Sequence, residues 1–118
     1  MLLVDPNVVL AAADVSALEH DRCARLLGEH QDLTVTAAVA VESAWMIESQ
    51  LGPRAEAAFV AALAAGEMHV VDLTAADWRR CAELIDRYHD LGLGVVDSLI
   101  VAVAQRLRRG DDRHAEPP

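Results

Sequence analysis

The sequence predicts an α/β fold, a short parallel sheet flanked by helices on both faces. Three observations predict it. Short apolar runs of strand length alternate with segments of helical periodicity. Gly, Pro and capping residues punctuate nearly every junction. The 118 residues are 53% apolar and 25% charged, which supports a packed core rather than a disordered tail. Residues 1–109 are expected to form one domain, followed by a polar, frayed tail over 110–118.

The elements follow in order. Leu2-Leu3-Val4 is a short buried strand that ends at Asp5-Pro6-Asn7. Val8 to Ala13 then reads as helical, with Pro6 suited to its first turn. Ser16-Ala17-Leu18-Glu19 has the pattern of a capping box, so a second helix is expected from near Ser16. Leu18, Cys23, Leu26 and Leu27 give that helix its apolar face. Leu33-Thr34-Val35-Thr36 is a second strand. Ala37 to Leu51 is helical and expected to be buried nearly all round, until Gly52-Pro53 stops it. An Ala-rich helix from Arg54 to Ala65 closes at Gly66. Met68 to Val71 is a third strand. Thr74 to Asp77 is a second cap pattern, opening a helix that runs to about Asp90. Gly92 and Gly94 break the chain, and a last helix covers about Val96 to Arg109. A sheet of three short strands is thin, and one or two more are expected.

Charge excludes some classes. Nineteen acids face ten bases, all of them Arg, for a formal net charge of −9. A generally basic nucleic-acid-binding module is thereby excluded, but a nucleic-acid enzyme with a local contact surface is not. Cys23 and Cys81 are too few for a disulfide framework or zinc site, and each is expected to be a buried free thiol. No basic segment precedes the first apolar run, and no run reaches the ~20 apolar residues of a membrane helix. A cytoplasmic setting follows, with no membrane partner.

Three acids stand out by their surroundings. Asp5 follows directly on an apolar strand. Glu42 and Asp97 are the only charges in Ala38–Ile47 and Leu91–Val101. An ionised carboxylate in apolar surroundings is costly unless a cation or hydrogen bond compensates it. Several together raise one another's pKa unless a cation sits between them, and Mg²⁺ or Mn²⁺ suits an all-oxygen set. Plainer roles stand beside this one. Asp5 with Pro6 makes an N-cap, Asp97 caps the last helix, and Glu42 lies on a solvated edge. Asn7 and Ser98 are near enough in sequence to bind a carboxylate, a water or a substrate phosphate, and each also suits a cap or turn. None of the five His is placed as a general base. Arg79, Arg80 and Arg87 on one helix, and Arg106, Arg108, Arg109 and Arg113 at the C-terminus, are candidates for phosphate contact or for solvated faces. Trp45 and Trp78 read as core or dimer-interface anchors.

The ordered set Leu2-Leu3-Val4-Asp5-x-Asn7, Ala40-Val41-Glu42-Ser43-Ala44-Trp45, Leu73-Thr74-Ala75-Ala76-Asp77-Trp78 and Tyr88-His89-Asp90-Leu91-Gly92-Leu93-Gly94-Val95-Val96-Asp97-Ser98 resembles the PIN-domain ribonucleases. It is most similar to the VapC-type toxins of bacterial toxin–antitoxin pairs, from Met1 to about Leu107. The resemblance implies a PIN-like fold and a Mg²⁺- or Mn²⁺-dependent endoribonuclease. It makes Asp5, Glu42 and Asp97 the metal ligands and catalytic acids, with RNA as substrate. It also implies a homodimer and a VapB-like antitoxin partner. The family continues with a strand and a fourth acid. Here no apolar run follows Leu107, so the last strand is expected to be missing, and Asp112 or Glu116 competes for the fourth acidic position. That departure leaves a second reading, a weak or inactive PIN-like module that acts through antitoxin binding and dimerisation.

Overall fold

A computed structural model describes residues 1–110; Asp112, Arg113 and Glu116 lie outside the described residues, as does most of the expected tail. The chain divides into two compact units, one of residues 1–71 and one that begins at Asp72.

The first unit holds a three-stranded parallel sheet in the order β1 (Leu2–Leu3), β2 (Leu33–Thr36), β3 (His69–Val71). Leu2 stands opposite Leu33, and Val35 opposite Val70. Two helices connect each pair of strands, as parallel pairing requires of its crossovers. These are α1 (Pro6–Ala13) and α2 (His20–Glu29), then α3 (Ala37–Leu51) and α4 (Pro53–Ala64). All four residues of β2, the central strand, are buried, the burial on both faces that a covered parallel sheet demands. Val4, Val9, Val35, Val39 and Ile47 form much of this unit's buried apolar set.

The junctions explain the boundaries. Thr36 ends β2 and caps α3 at once, its Oγ1 accepting from the Val39 amide at 3.0 Å. Gly52 between α3 and α4 has φ 92° and ψ 173°, a conformation open to almost nothing but glycine, and Pro53 then starts α4. The helix expected from Ser16 begins only at His20. The Ser16 hydroxyl and amide both donate to Asp14 Oδ1, at 2.6 and 3.0 Å. That Asx turn occupies the hydroxyl the capping box needed.

The second unit is a helical hairpin of α5 (Ala75–Arg87) and α6 (Val95–Arg108), joined through a 3-10 turn at His89–Leu91. Here the cap pattern at Thr74 is a full capping box. Thr74 Oγ1 accepts from the Asp77 amide, and Asp77 Oδ2 accepts from the Thr74 amide. Gly92, at φ 68°, closes the 3-10 turn in the left-handed region. The buried faces repeat at helical spacing: Asp77, Cys81 and Leu84 on α5, and Leu99, Ala102, Val103 and Arg106 on α6.

Arg106 and Asp77 are 6% and 3% exposed and form an ion pair. Arg106 Nε donates to Asp77 Oδ1 at 3.0 Å, and Nη2 donates to Oδ2 at 3.1 Å and to the Asp72 carbonyl at 3.1 Å. One guanidinium thus ties the entry to α5, the cap of α5 and the last turns of α6. Burial pushes the Asp77 carboxyl up. The hydrogen bonds and charge of Arg106, with the Thr74 amide and hydroxyl, outweigh it and hold the carboxyl below its ordinary value. A lowered folded pKa means that the folded state binds fewer protons than the unfolded chain. Asp77 therefore adds stability above the unfolded value of about 3.9, and that stability is lost as pH falls through the lower folded value. Asp77→Asn is expected to flatten the acid limb of a urea-stability profile below about pH 4.

Several expectations change here. Arg106, a candidate phosphate contact, is a buried structural cation. Arg80 is also engaged, with Glu83 Oε2 and Gln105 Oε1, both at 3.0 Å. Trp45 and Trp78 are 66% and 51% exposed, so neither is a core anchor. Helix α3 is not buried all round, since Val41 is exposed beside Trp45. Cys81 is the buried thiol, raised in pKa by burial, whereas Cys23 is half-buried.

Candidate functional site

Parallel strands end at one edge of a sheet, and the loops beyond that edge gather side chains. In the first unit this edge carries two of the predicted acids. Asp5 lies two residues beyond β1. Glu42 lies six residues beyond β2, on the second turn of α3. Their placement follows from local sequence: Asp5-Pro6 turns β1 into α1, and Thr36 turns β2 into α3 without a loop. The strand order has no reversal among the described residues, so no switch-point crevice separates these strands.

Asp5 is exposed and caps α1, its Oδ1 accepting from the Val8 amide at 3.0 Å. The plainer reading of Asp5 is therefore real, and it uses one of the two carboxylate oxygens. Glu42 is half-buried on α3. Asp97 is exposed and belongs to the second unit, at the third position of α6. It does not cap that helix, because the cap residue is Gly94 and no side chain bonds to the first turn. Neither Glu42 nor Asp97 has a hydrogen bond or ion pair through its side chain among the described residues. Among the described residues, no group of three or more His, Cys, Asp or Glu is gathered closely enough to hold a metal ion.

Taken singly, the three acids are of the donor type that a hard divalent cation takes. They offer only carboxylate oxygens, and the described residues set no guanidinium or imidazole against Glu42 or Asp97. Two further features sit beside these acids. Ser43 and Ser98 are fully buried, and each Oγ lacks a hydrogen-bond partner among the described residues. A buried hydroxyl without a partner costs about 1–3 kcal/mol. The sequence marks Ser98 by its place beside Asp97, and Ser43 stands in the same place after Glu42. Asn7 is exposed at the second position of α1.

The cap on Asp5 yields a separable prediction. Asn caps as well as Asp, whereas Ala costs about 1 kcal/mol. Asp5→Ala is expected to lose about that much stability in urea unfolding, and Asp5→Asn to keep most of it.

The described histidines serve the backbone or the surface. Nδ1 of His20, His30 and His89 sits 2.7 to 2.9 Å from the carbonyls of Ala11, Leu26 and Asp86. A cavity of about 520 Å³, lined by Leu27, His30, Leu33, Glu67 and Met68 among others, opens at the amino ends of β2 and β3. It lies at the edge opposite Asp5.

Comparison with known proteins gives three findings. The family model described as PIN domain matches residues 2–109. Ribonuclease VapC26 of Mycobacterium tuberculosis is 26% identical over 108 residues, covering 91% of this chain and 80% of that protein. The crystal structure of M. tuberculosis VapC20, a toxin described as cleaving the sarcin-ricin loop, superposes with a TM-score of 0.83 at 21% identity. It covers 93% of this chain and 84% of that one, a likeness of fold. Among the described residues, no helix is long and apolar enough to cross a membrane.

Proposed function

The chain belongs to the PIN-domain family, and from that premise we propose that it is a metal-dependent endoribonuclease, the toxin of a type II toxin–antitoxin pair. The observation that supports this most is the state of the three acids. Asp5, Glu42 and Asp97 are the acids of the segments that resemble the family's motifs, and the described residues supply no cation to any of them.

Mg²⁺ or Mn²⁺ is the proposed cofactor, held by Asp5, Glu42 and Asp97. When bound, it makes a water acidic at neutral pH and offsets charge on the phosphate under attack. The chain's own part is to hold the ion and to orient the RNA. Among the described residues, Asp5 Oδ2 has no hydrogen-bond donor, while Oδ1 fixes the first turn of α1. Asn7, exposed on α1, is the proposed substrate-side residue; Ser98, the other candidate, is fully buried. Arg79, Arg87 and Arg108, all exposed, are the proposed phosphate contacts. Asp112 is the proposed fourth acid. The proposed partners are RNA, a VapB-like antitoxin and a second copy of the chain, in the cytoplasm where the RNA is.

The test is cleavage of a structured RNA by the purified chain with and without divalent ions. Cleavage is expected with Mg²⁺ or Mn²⁺, is expected to stop in EDTA, and is expected to return when the ion is restored. Undiminished cleavage in EDTA would contradict the proposal.

A further inference from the structure

The cavity of about 520 Å³ at the edge opposite Asp5 lies wholly within the first unit. Its volume is that of a small-molecule pocket. Leu27, Leu33, Ala62 and Met68 supply its apolar lining. Its polar groups are of one kind. Glu67 carries the fixed charge among the described lining residues, and it has no ion-pair partner among the described residues. His30 Nδ1 lies 2.8 Å from the Leu26 carbonyl. A carbonyl only accepts, so Nδ1 holds the proton and the neutral ring offers Nε2 as an acceptor.

Two helices end at this edge, α2 at Glu29 and α4 at Ala64, and neither has a basic residue in its last turn. The end of α4 is closed: the Gly66 and Glu67 amides donate to the Leu63 and Ala62 carbonyls at 3.0 and 3.1 Å. The end of α2 is open. Among the described residues, no backbone amide donates to the carbonyls of Leu27, Gly28 or Glu29. Such an end carries partial negative charge and attracts cations. Gly28, in the cavity wall, does not have a positive φ. A Cβ there would meet no atom within 4 Å. Alanine is the better helix former at such a position, so neither backbone nor packing requires this glycine, and it leaves that wall without a side chain.

We propose that this cavity binds a small organic ammonium ion, an amine whose apolar body lies against Leu27, Leu33 and Met68 and whose charged head faces Glu67. Three observations select that class. The lining offers a carboxylate, an imidazole acceptor and the open end of a helix, all of which favour a donor that carries positive charge. Gln31 adds an amide that serves either way. The field of the whole unit agrees: residues 1–71 carry ten acids against three arginines, a net charge of −7, which draws cations and repels anions. The apolar lining then separates an organic cation from a bare metal ion, which no group of three His, Cys, Asp or Glu is gathered to hold among the described residues. The adaptable Met68 thioether suits an irregular or aromatic body. This site stands at the opposite edge from Asp5 and rests neither on the nuclease reading nor on a metal.

The test is a titration of the full chain, followed by nuclear magnetic resonance, with three probes of one shape: phenylbutylamine, phenylbutanol and phenylbutyrate. The amine is expected to give saturable shifts at Gly28, His30 and the Met68 methyl, with a Kd below about 1 mM. The alcohol is expected to bind more weakly, and the carboxylate not to saturate. Glu67→Gln is expected to weaken the amine about 5-fold, the upper range for an exposed ion pair, and to leave the alcohol unchanged. Gly28→Leu is expected to abolish saturation by filling the wall. Its melting temperature is expected not to fall, because leucine is the better helix former and meets open space. The proposal is overturned if the amine gives no saturable shift at these residues, or if the carboxylate binds as well as the amine. Amine binding that is unchanged in both Glu67→Gln and Gly28→Leu overturns it as well.

Discussion

Arg106→Ala is expected to destabilise the chain by about 3–5 kcal/mol, because it leaves the Asp77 carboxylate buried without its cation. The cost arises from desolvation. Asp77 is 3% exposed, and its remaining partner, the Thr74 amide, does not offset a full charge. The Asp72 carbonyl loses its Nη2 donor too. At this chain length, 3 kcal/mol corresponds to a fall of roughly 10–20 °C in Tm, readable by differential scanning calorimetry. Arg106→Lys keeps the charge but cannot make the paired contact from Nε and Nη2, so a partial loss is expected. The double variant Arg106→Met with Asp77→Leu removes both charges and is expected to recover much of the stability. Equal losses in the single and double variants would show that the pair's burial is not the source.

Asp97→Asn and Glu42→Gln are each expected to lower RNA cleavage by at least about 100-fold while leaving the fold intact. Replacing even the outer partners of a metal site typically costs 10–100-fold, so removal of a ligand's charge costs at least that. Stability is spared because neither acid side chain holds another part of the described structure. Asp5→Asn is the more demanding case, since it preserves the cap on α1 and removes only the charge. Its expected signature is a normal urea midpoint with cleavage lost. Far-UV circular dichroism and urea unfolding check the first half, and initial cleavage rates at saturating Mg²⁺ check the second.

The strands and most helix ends were legible because their signals are local. Thr36, Gly52-Pro53 and Thr74 act within four residues of themselves, and the boundaries they set match the structure closely. Ser16 shows the limit of such signals. Its capping pattern was correct in letters, but Asp14 lies two residues away and took the hydroxyl first. Arg106 shows a second limit. Its sequence places it with the neighbouring arginines as a phosphate contact or solvated cation, yet it falls seven residues after Leu99 and four after Ala102, on the buried face of α6. That spacing was the available signal; its partner, 29 residues away, was not readable from local pattern. Trp45 and Val41 went the other way. An apolar helix predicts a buried one, whereas the structure shows an apolar face open to solvent.

The acids themselves divide similarly. Sequence singled out Asp5, Glu42 and Asp97 as charges in apolar stretches. The structure adds that Asp5 has a cap to hold and that Asp97 does not cap its helix. The excess of acid is also localised, with the first unit at −7 against −9 for the chain.

The central claim is that Asp5, Glu42 and Asp97 jointly hold one kind of ion, and Mn²⁺ titration by isothermal calorimetry on the folded chain tests it most directly. The account predicts stoichiometric Mn²⁺ binding in the wild type, with binding lost in each of Asp5→Asn, Glu42→Gln and Asp97→Asn. A folded wild type that takes up no Mn²⁺, or uptake that survives all three substitutions, would contradict it.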